Sequence, residues 1–585
     1  MIKKVVWLLM SCLMVLTLII SSCGGDEVEA PGDGDGDVVG ATEPQYGGTI
    51  TTAMTADYRS WDPTLAPDIF VGHMMYTHNE YIQGDWTKGP NGSGETDWEI
   101  GFLGRVDLLT GELAESWEMP DNETIVLHLV EGVHYHDKPP VNGRELTAED
   151  AAWSIMMRFL TPGVWHNIAY PPETGLGPTS ATAIDKYTVE VKVPTISQEI
   201  MLLEITENGY CNAPEIWEGD GPGEGEGMAE WQQVVGTGPF EINNYVTGSY
   251  AEYTKFDDYW EYDPMYPQNK WPYLDSFKVT IIADMSSQLA ALRTGKIDFL
   301  SRVTWDSIKD IDITSPDIEY KGFPSPWEGV AAMRMDKPEL PYYDLKVRQA
   351  MNMAVNQEEL LEDYYEGDGA MLGYPFGPTP SYEPYFVPLE DMPEEVKMLY
   401  RYDPEGAKEL LTEAGYPEGF KAVITCTSAQ ADYLSIIKEY LAAVNIDLEL
   451  LVVEASAFNG LRSNREYEMI YMTAGIWAPF EMLNTKQSQG MCVRNTPDAY
   501  YDQVQECIAS NIVSNPDKYI QCVKDAAVYE LESAWGIWSP RPNQYNAWWP
   551  WVRDYNGIFW TGWAGVWDWT KSIWLDKDMK TSMGY

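Results

Sequence analysis

The sequence predicts a large α/β protein of two or three lobes, and three observations carry that expectation. The chain has 585 residues, more than one hydrophobic core usually serves. Residues 113–159 read as strand, turn and helix in succession. Residues 344–453 then alternate helical and extended patterns, as an α/β lobe does. The apolar fraction of 44% is ample for globular folding.

The chain opens on Lys3 and Lys4, followed by an apolar run from Val5 to Ile20. That run is shorter than the ~20 residues a membrane span usually needs, so residues 1–22 are expected to be a leader that is removed. Ile20-Ser21-Ser22-Cys23 has the form of the bacterial lipobox, which makes Cys23 the expected lipid-bearing residue. Residues 23–45 are Gly, Pro and acid, too poor in apolar surface to fold, and read as a flexible acidic linker. Asp33, Asp35 and Asp37 resemble a calcium loop only superficially. Val38 stands where Gly is needed and Pro44 where the closing Glu belongs.

Gly48 to Met54 reads as a strand before a Trp61-Asp62-Pro63 turn, and residues 64–112 carry no clear pattern. In the 113–159 stretch, Ile125, Leu127 and Leu129 alternate with Val126, His128 and Val130 in a two-sided strand. Pro139, Pro140, Asn142 and Gly143 make a turn. Thr147 and Asp150 form a capping box for a helix whose apolar face is Ala151, Ala152, Ile155, Met156 and Phe159. Residues 183–193 read as one strand with Tyr187, Val189, Val191 and Val193 on a face. Residues 277–300 read strand, helix, strand, with Gly295 stopping the helix. Asp344 caps a helix, Asn356 the next, and Asp403-Pro404 opens a third that Gly415 ends. Residues 430–453 repeat helix then strand. Two helices follow residue 497, joined at Asn515-Pro516. Cys507 and Cys522 lie about equally far from that joint, so they face each other in an antiparallel pair, as a disulfide or as two buried thiols. The aromatic-rich tail returns to strand-like sequence.

Charge and motifs exclude several functions. The formal charge of −53 opposes nucleic-acid binding. There is no Gly-x-Ser-x-Gly elbow, Walker loop or zinc-protease helix. His134 and His136 share one side of an extended stretch, but no Cys or further His stands beside them, so no metal site and no cofactor is expected. The 24 Trp and 37 Tyr suit wet binding surfaces, although most must be core.

Several segments together resemble the family 5 extracellular solute-binding proteins, the peptide, nickel and oligosaccharide receptors of ABC importers. Trp117, Gly132, Val133, His136, Asp137, Leu146, Thr147, Ala148, Glu149, Asp150 and Ser154 match one signature. The opening 46–63, the segments 234–245 and 255–262, the Gly-x-Ile-Asp at 295–298 and the 344–361 stretch match others. The resemblance covers residues 46–585. It implies a two-lobed periplasmic-binding-protein fold of the type II, Venus-flytrap kind with an extra inserted domain. Lobe I would be 46–70, 175–300 and 541–585, the inserted domain 71–174, and lobe II 301–540.

The resemblance also implies a ligand loop. In peptide-binding members a Gly-Trp-x-x-Asp-Tyr segment sets a carboxylate against the peptide's amino terminus. Residues 473–485 fit that frame through Gly475 and Trp477, but the Asp is missing; Phe480 stands near its place and Glu481 follows. These four are candidate ligand contacts, with Trp61 and Trp327 beside them. The function implied is capture of a solute, an oligopeptide by family default, in an interlobe cleft and delivery to a membrane ABC permease. The protein would be a monomer held extracytoplasmically by its lipid and would not be an enzyme. An oligosaccharide or nickel receptor of the same fold is the alternative. An exported glycoside hydrolase is the rival from another class, and would need two carboxyl groups at a set separation across the cleft. An adhesion protein would lack a closable cleft.

Overall fold

The computed structural model describes residues 43–58, 60–62, 74–98, 105–162, 164, 166–167, 170, 175–207, 209–218, 225, 227–325, 329–473, 499–562 and 568–585. Strand Thr49–Met54 pairs in parallel with Ser276–Ile281, which pairs with Tyr250–Lys255 and so with Phe240–Val246. Asp298 ties this lobe together. Its buried carboxylate accepts from Thr51 N–H (2.7 Å), Trp551 Nε1 (2.8 Å) and Lys580 Nζ (2.6 Å).

A second sheet, in the order Ala114–Asp121, Thr124–Leu129, Thr188–Lys192, Ser180–Asp185, carries helix Ala148–Leu160 against it. The helix begins as its sequence dictates. Thr147 N–H donates to Asp150 Oδ2 at 2.8 Å, and the Thr147 side chain takes the Asp150 backbone N–H. Ala148, Ala151, Ala152, Ile155 and Phe159 are its buried face. The expected single strand over 183–193 is instead a hairpin. Asp185 accepts from the Tyr187 N–H at 2.9 Å and turns the chain there. Thr188–Lys192 pairs with Thr124–Leu129, and Ser180–Asp185 pairs in turn with Thr188–Lys192, so residues on both sides of position 174 share one sheet.

Lobe II is a five-stranded sheet in the order Ile446–Val452, Phe420–Cys426, Met469–Thr473, Gly329–Met333, Gly536–Ile537. Helices Leu345–Met353 and Pro404–Glu413 are capped as expected, Asp344 accepting from Lys346 N–H and Asp403 from Gly406 N–H, and Gly415, with φ +93°, ends the second; helix Ala431–Ala442 follows. This lobe has its own buried apolar core, including Val347, Ile424, Leu434 and Leu448, apart from the core that holds Ile50, Phe277 and Phe299.

Three strands join the halves. Phe299–Thr304 leaves lobe I, Glu319–Pro324 runs beside it, and Arg541–Trp548 returns between them, antiparallel to both. Helices Ala499–Ala509 and Pro516–Glu532 form a pair bridged by Cys507–Cys522, with Cα atoms 6.1 Å apart. Among the described residues no helix is long and apolar enough to cross a membrane.

Candidate functional site at the crossover between the lobes

The three crossover strands carry two arginines, one half-buried and one buried. Arg302 sits where the outbound strand's register shifts, between Leu300 and Val303, and it adopts φ +60°. Its guanidinium lies 5.3 Å from the Phe559 ring centroid, and burial pulls its pKa down to about 10. Arg541, 3% exposed, opens the return strand. It donates to the Ser325 carbonyl at 3.1 Å and lies 6.0 Å from the Tyr374 ring. In a chain of net charge −53, these put positive charge where the halves meet.

Aromatic walls surround them. Tyr374 stacks on Trp538 at 4.9 Å and meets Trp535 edge-on at 5.4 Å. Phe323 lies 6.5 Å from Phe559, ring centre to ring centre. Asp97, in the loop before residue 99, accepts from Ser381 Oγ and so ties a segment near lobe I to lobe II. Flat rings and guanidiniums are groups that can meet a ligand with both apolar and acidic parts.

The sequence-predicted contacts relate to this seam unequally. Trp327, Gly475, Trp477, Phe480 and Glu481 lie outside the described residues, as does Cys23. Their chain neighbours are described. Gly329 pairs with Thr473 in the lobe II sheet, so the segments carrying Trp327 and Gly475 attach to adjoining strand ends. Ser325, on the other side of residues 326–328, is held by Arg541. Trp61 sits elsewhere: 8% exposed, it packs at 4.9 Å on Tyr58 and 4.8 Å on Tyr245. Sequence reasoning missed Arg302 and Arg541. The only signal was an arginine inside an apolar strand pattern at Phe299–Thr304 and another opening one at Arg541.

His136 is structural. Its Nδ1 accepts from Gly236 N–H at 3.3 Å, so Nε2 donates to the Gly238 carbonyl at 3.0 Å. Burial lowers its pKa to about 3, which keeps the ring neutral. His134 instead bonds the Gly143 carbonyl at 2.8 Å. Among the described residues no group of three His, Cys, Asp or Glu side chains is arranged to hold a metal.

Comparison with known proteins bears on the family and the fold. Residues 109–490 match the family described as bacterial extracellular solute-binding proteins, family 5 middle. The chain is 28% identical over 338 residues to heme-binding protein A of Haemophilus influenzae, covering 53% of this chain and 54% of that one. It thus spans about half the length of that relative. It is 24% identical over 439 residues to the dipeptide-binding protein of Escherichia coli, covering 71% and 74%. Among solved structures, the Helicobacter pylori periplasmic binding protein DppA with the peptide STSA aligns at TM-score 0.68 and 22% identity over 91% of this chain and 99% of that one. The oligopeptide-binding protein AppA of Bacillus subtilis with a nonapeptide aligns at 0.67 and 18%, over 91% and 100%. At these identities the structures show the fold, which is the two-lobed α/β arrangement expected from the sequence.

Proposed function

The chain belongs to the bacterial extracellular solute-binding proteins of family 5, and from that premise we propose that it is the receptor of an ABC importer that captures a peptide between its lobes and hands it to a membrane permease. The crossover is the observation that supports this most. Three strands join the two lobes, and the strand ends next to the segments of Trp327 and Gly475 pair with each other, four residues from the Ser325 that Arg541 holds. Such a joint lets the halves close on a solute. A ligand shifts that equilibrium only through tighter binding to the closed form. The guanidiniums of Arg302 and Arg541 favour a carboxylate-bearing ligand over a neutral sugar, in a site that lacks the usual acidic anchor for a peptide amino terminus. The mechanism is binding and release, with no bond made or broken.

The test is a thermal-shift screen against peptides, oligosaccharides and nickel, with the solute recovered and analysed. We expect peptides to raise the melting temperature, by an amount that grows with concentration as linkage requires, and to be recovered intact. Stabilisation by oligosaccharide or nickel alone, or turnover of the solute, would sink the proposal.

Anchoring through lipid on Cys23, as a monomer on the outer side of the membrane, completes this reading. A Cys23→Ala variant is expected to lose incorporation of labelled fatty acid and to leave the membrane fraction. Unchanged labelling would remove the anchor from the account.

A further inference from the structure

Away from the crossover, the halves of the chain also meet through one carboxylate. Helix Gln198–Thr206 belongs with the second sheet, because Gln198 Nε2 donates to the Thr124 carbonyl at 2.9 Å, where strand Thr124–Leu129 begins. The disulfide-bridged helix pair belongs to lobe II. Its second helix leads into strand Gly536–Ile537 of the five-stranded sheet, and the Ser533 carbonyl between them accepts from Arg348 Nε at 3.0 Å. The first helix of the pair, Ala499–Ala509, lies against the turn Thr195–Ser197. There Glu199 Oε2 accepts from Val513 N–H at 2.8 Å and from Ser514 N–H at 3.2 Å, across more than three hundred residues of sequence. Hydrogen bonds to a carboxylate are the stronger kind.

The Cys507–Cys522 bridge governs where those two donors stand. Val513 and Ser514 lie in the joint between the helices, and the bridge ties the helix on one side of that joint to the helix on the other. With the bridge open the joint samples more conformations, and holding both N–H groups toward Glu199 costs more entropy. Cys507 is half-buried, the more exposed end of the bridge, while Cys522 is buried. Among the described residues Cys211 and Cys426 are buried free thiols, so this bridge is the target a reductant finds there.

We propose that the helix pair is a redox-gated clasp on closure: with Cys507 joined to Cys522, its joint fastens on Glu199 and raises the closed fraction before any solute arrives, and reduction of the bridge releases it. Such a clasp presupposes the opening and closing of the halves proposed above. A dithiol reductant opens the bridge by exchange. Its thiolate attacks one sulfur to give a mixed disulfide, and its second thiol then displaces the other cysteine. The two cysteines gain two electrons and two protons, and the reductant leaves as a disulfide. A larger closed fraction tightens solute binding in proportion. The bond from Ser381 Oγ to Asp97 lies outside the bridged pair and survives reduction, so the clasp tunes closure alongside it.

Small-angle scattering of the purified, ligand-free protein tests this, before and after treatment with dithiothreitol, for the wild type, Glu199→Gln and Glu199→Ala. Glu199→Ala is expected to enlarge the radius of gyration of the oxidised protein, as its closed-to-open ratio falls about tenfold. Glu199→Gln keeps an oxygen that accepts, so it should enlarge the radius less, and it carries the comparison if the alanine variant does not fold. Dithiothreitol should enlarge the wild type and add nothing in Glu199→Ala, because the bridge acts through that carboxylate; simple loosening of the helix pair would expand both. A radius that neither the substitutions nor the reductant changes overturns the proposal, and so does equal expansion of wild type and Glu199→Ala on reduction. The ligand is judged apart from this, by the thermal-shift screen: a protein that expands as described but binds no peptide keeps the clasp and loses the peptide.

Discussion

His136 shows how one side chain connects distant parts of the chain. It clasps Gly236 and Gly238, a hundred residues downstream, through both ring nitrogens. Neutrality is a condition of that grip, because a protonated Nδ1 cannot accept from Gly236. Burial holds His78 and His136 to about 3 and His166 to about 4, against 6.5 when free. Each folded value lies below its unfolded one, so the unfolded chain binds more protons between them. The stability they lend is whole above pH 6.5 and is lost as pH falls toward the folded values. Glu112, raised to about 8, works the other way between pH 4.5 and 8 and offsets part of the loss there. We expect His136→Gln to be less stable at neutral pH yet to lose less stability on acidification, by about 1.4 kcal/mol per pH unit between pH 4 and 6. Urea unfolding across that range checks it, and parallel curves for the two proteins would refute it.

At the level of elements, the paired helices near the end of the chain are held from two sides. The Cys507–Cys522 bridge closes a loop over a separation of 15 residues. From the other side, Glu199 accepts from the N–H groups of Val513 (2.8 Å) and Ser514 (3.2 Å), pinning the turn between the helices to helix Gln198–Thr206. A loop of this length is worth about 3 kcal/mol in the chain-entropy account. Replacing both cysteines by serine is expected to lower the urea midpoint and to abolish its sensitivity to reductant; a midpoint indifferent to both would contradict this. The elements that were legible in the sequence are those defined by local chemistry. Thr147, Asp344, Asp403 and Asn515 each stand a fixed few residues from the N–H they accept. The hairpin at Lys186-Tyr187 was not legible, because Asp185 makes its turn without glycine or proline. Nor were the seam arginines: Arg541 meets its acceptor on Ser325 across 216 residues, and no local pattern encodes such a distance.

For the whole molecule, closure around a solute makes a claim about shape. Small-angle scattering should show a smaller radius of gyration once a stabilising peptide is bound, and no change without one; identical curves would mean the lobes do not move on binding. The three-strand crossover also dictates how the molecule is built. Residues 541–548 are the middle strand of the crossover, flanked by strands that precede them by more than two hundred positions. Until that late stretch emerges, Phe299–Thr304 and Glu319–Pro324 have no common neighbour, and Asp298 lacks both Trp551 and Lys580. A nascent chain can assemble the 344–473 core early but must leave its first lobe open-ended. Such long-range pairing is slow. The protein is therefore unlocked through most of its synthesis, the condition in which a polypeptide can still be threaded through a narrow membrane pore.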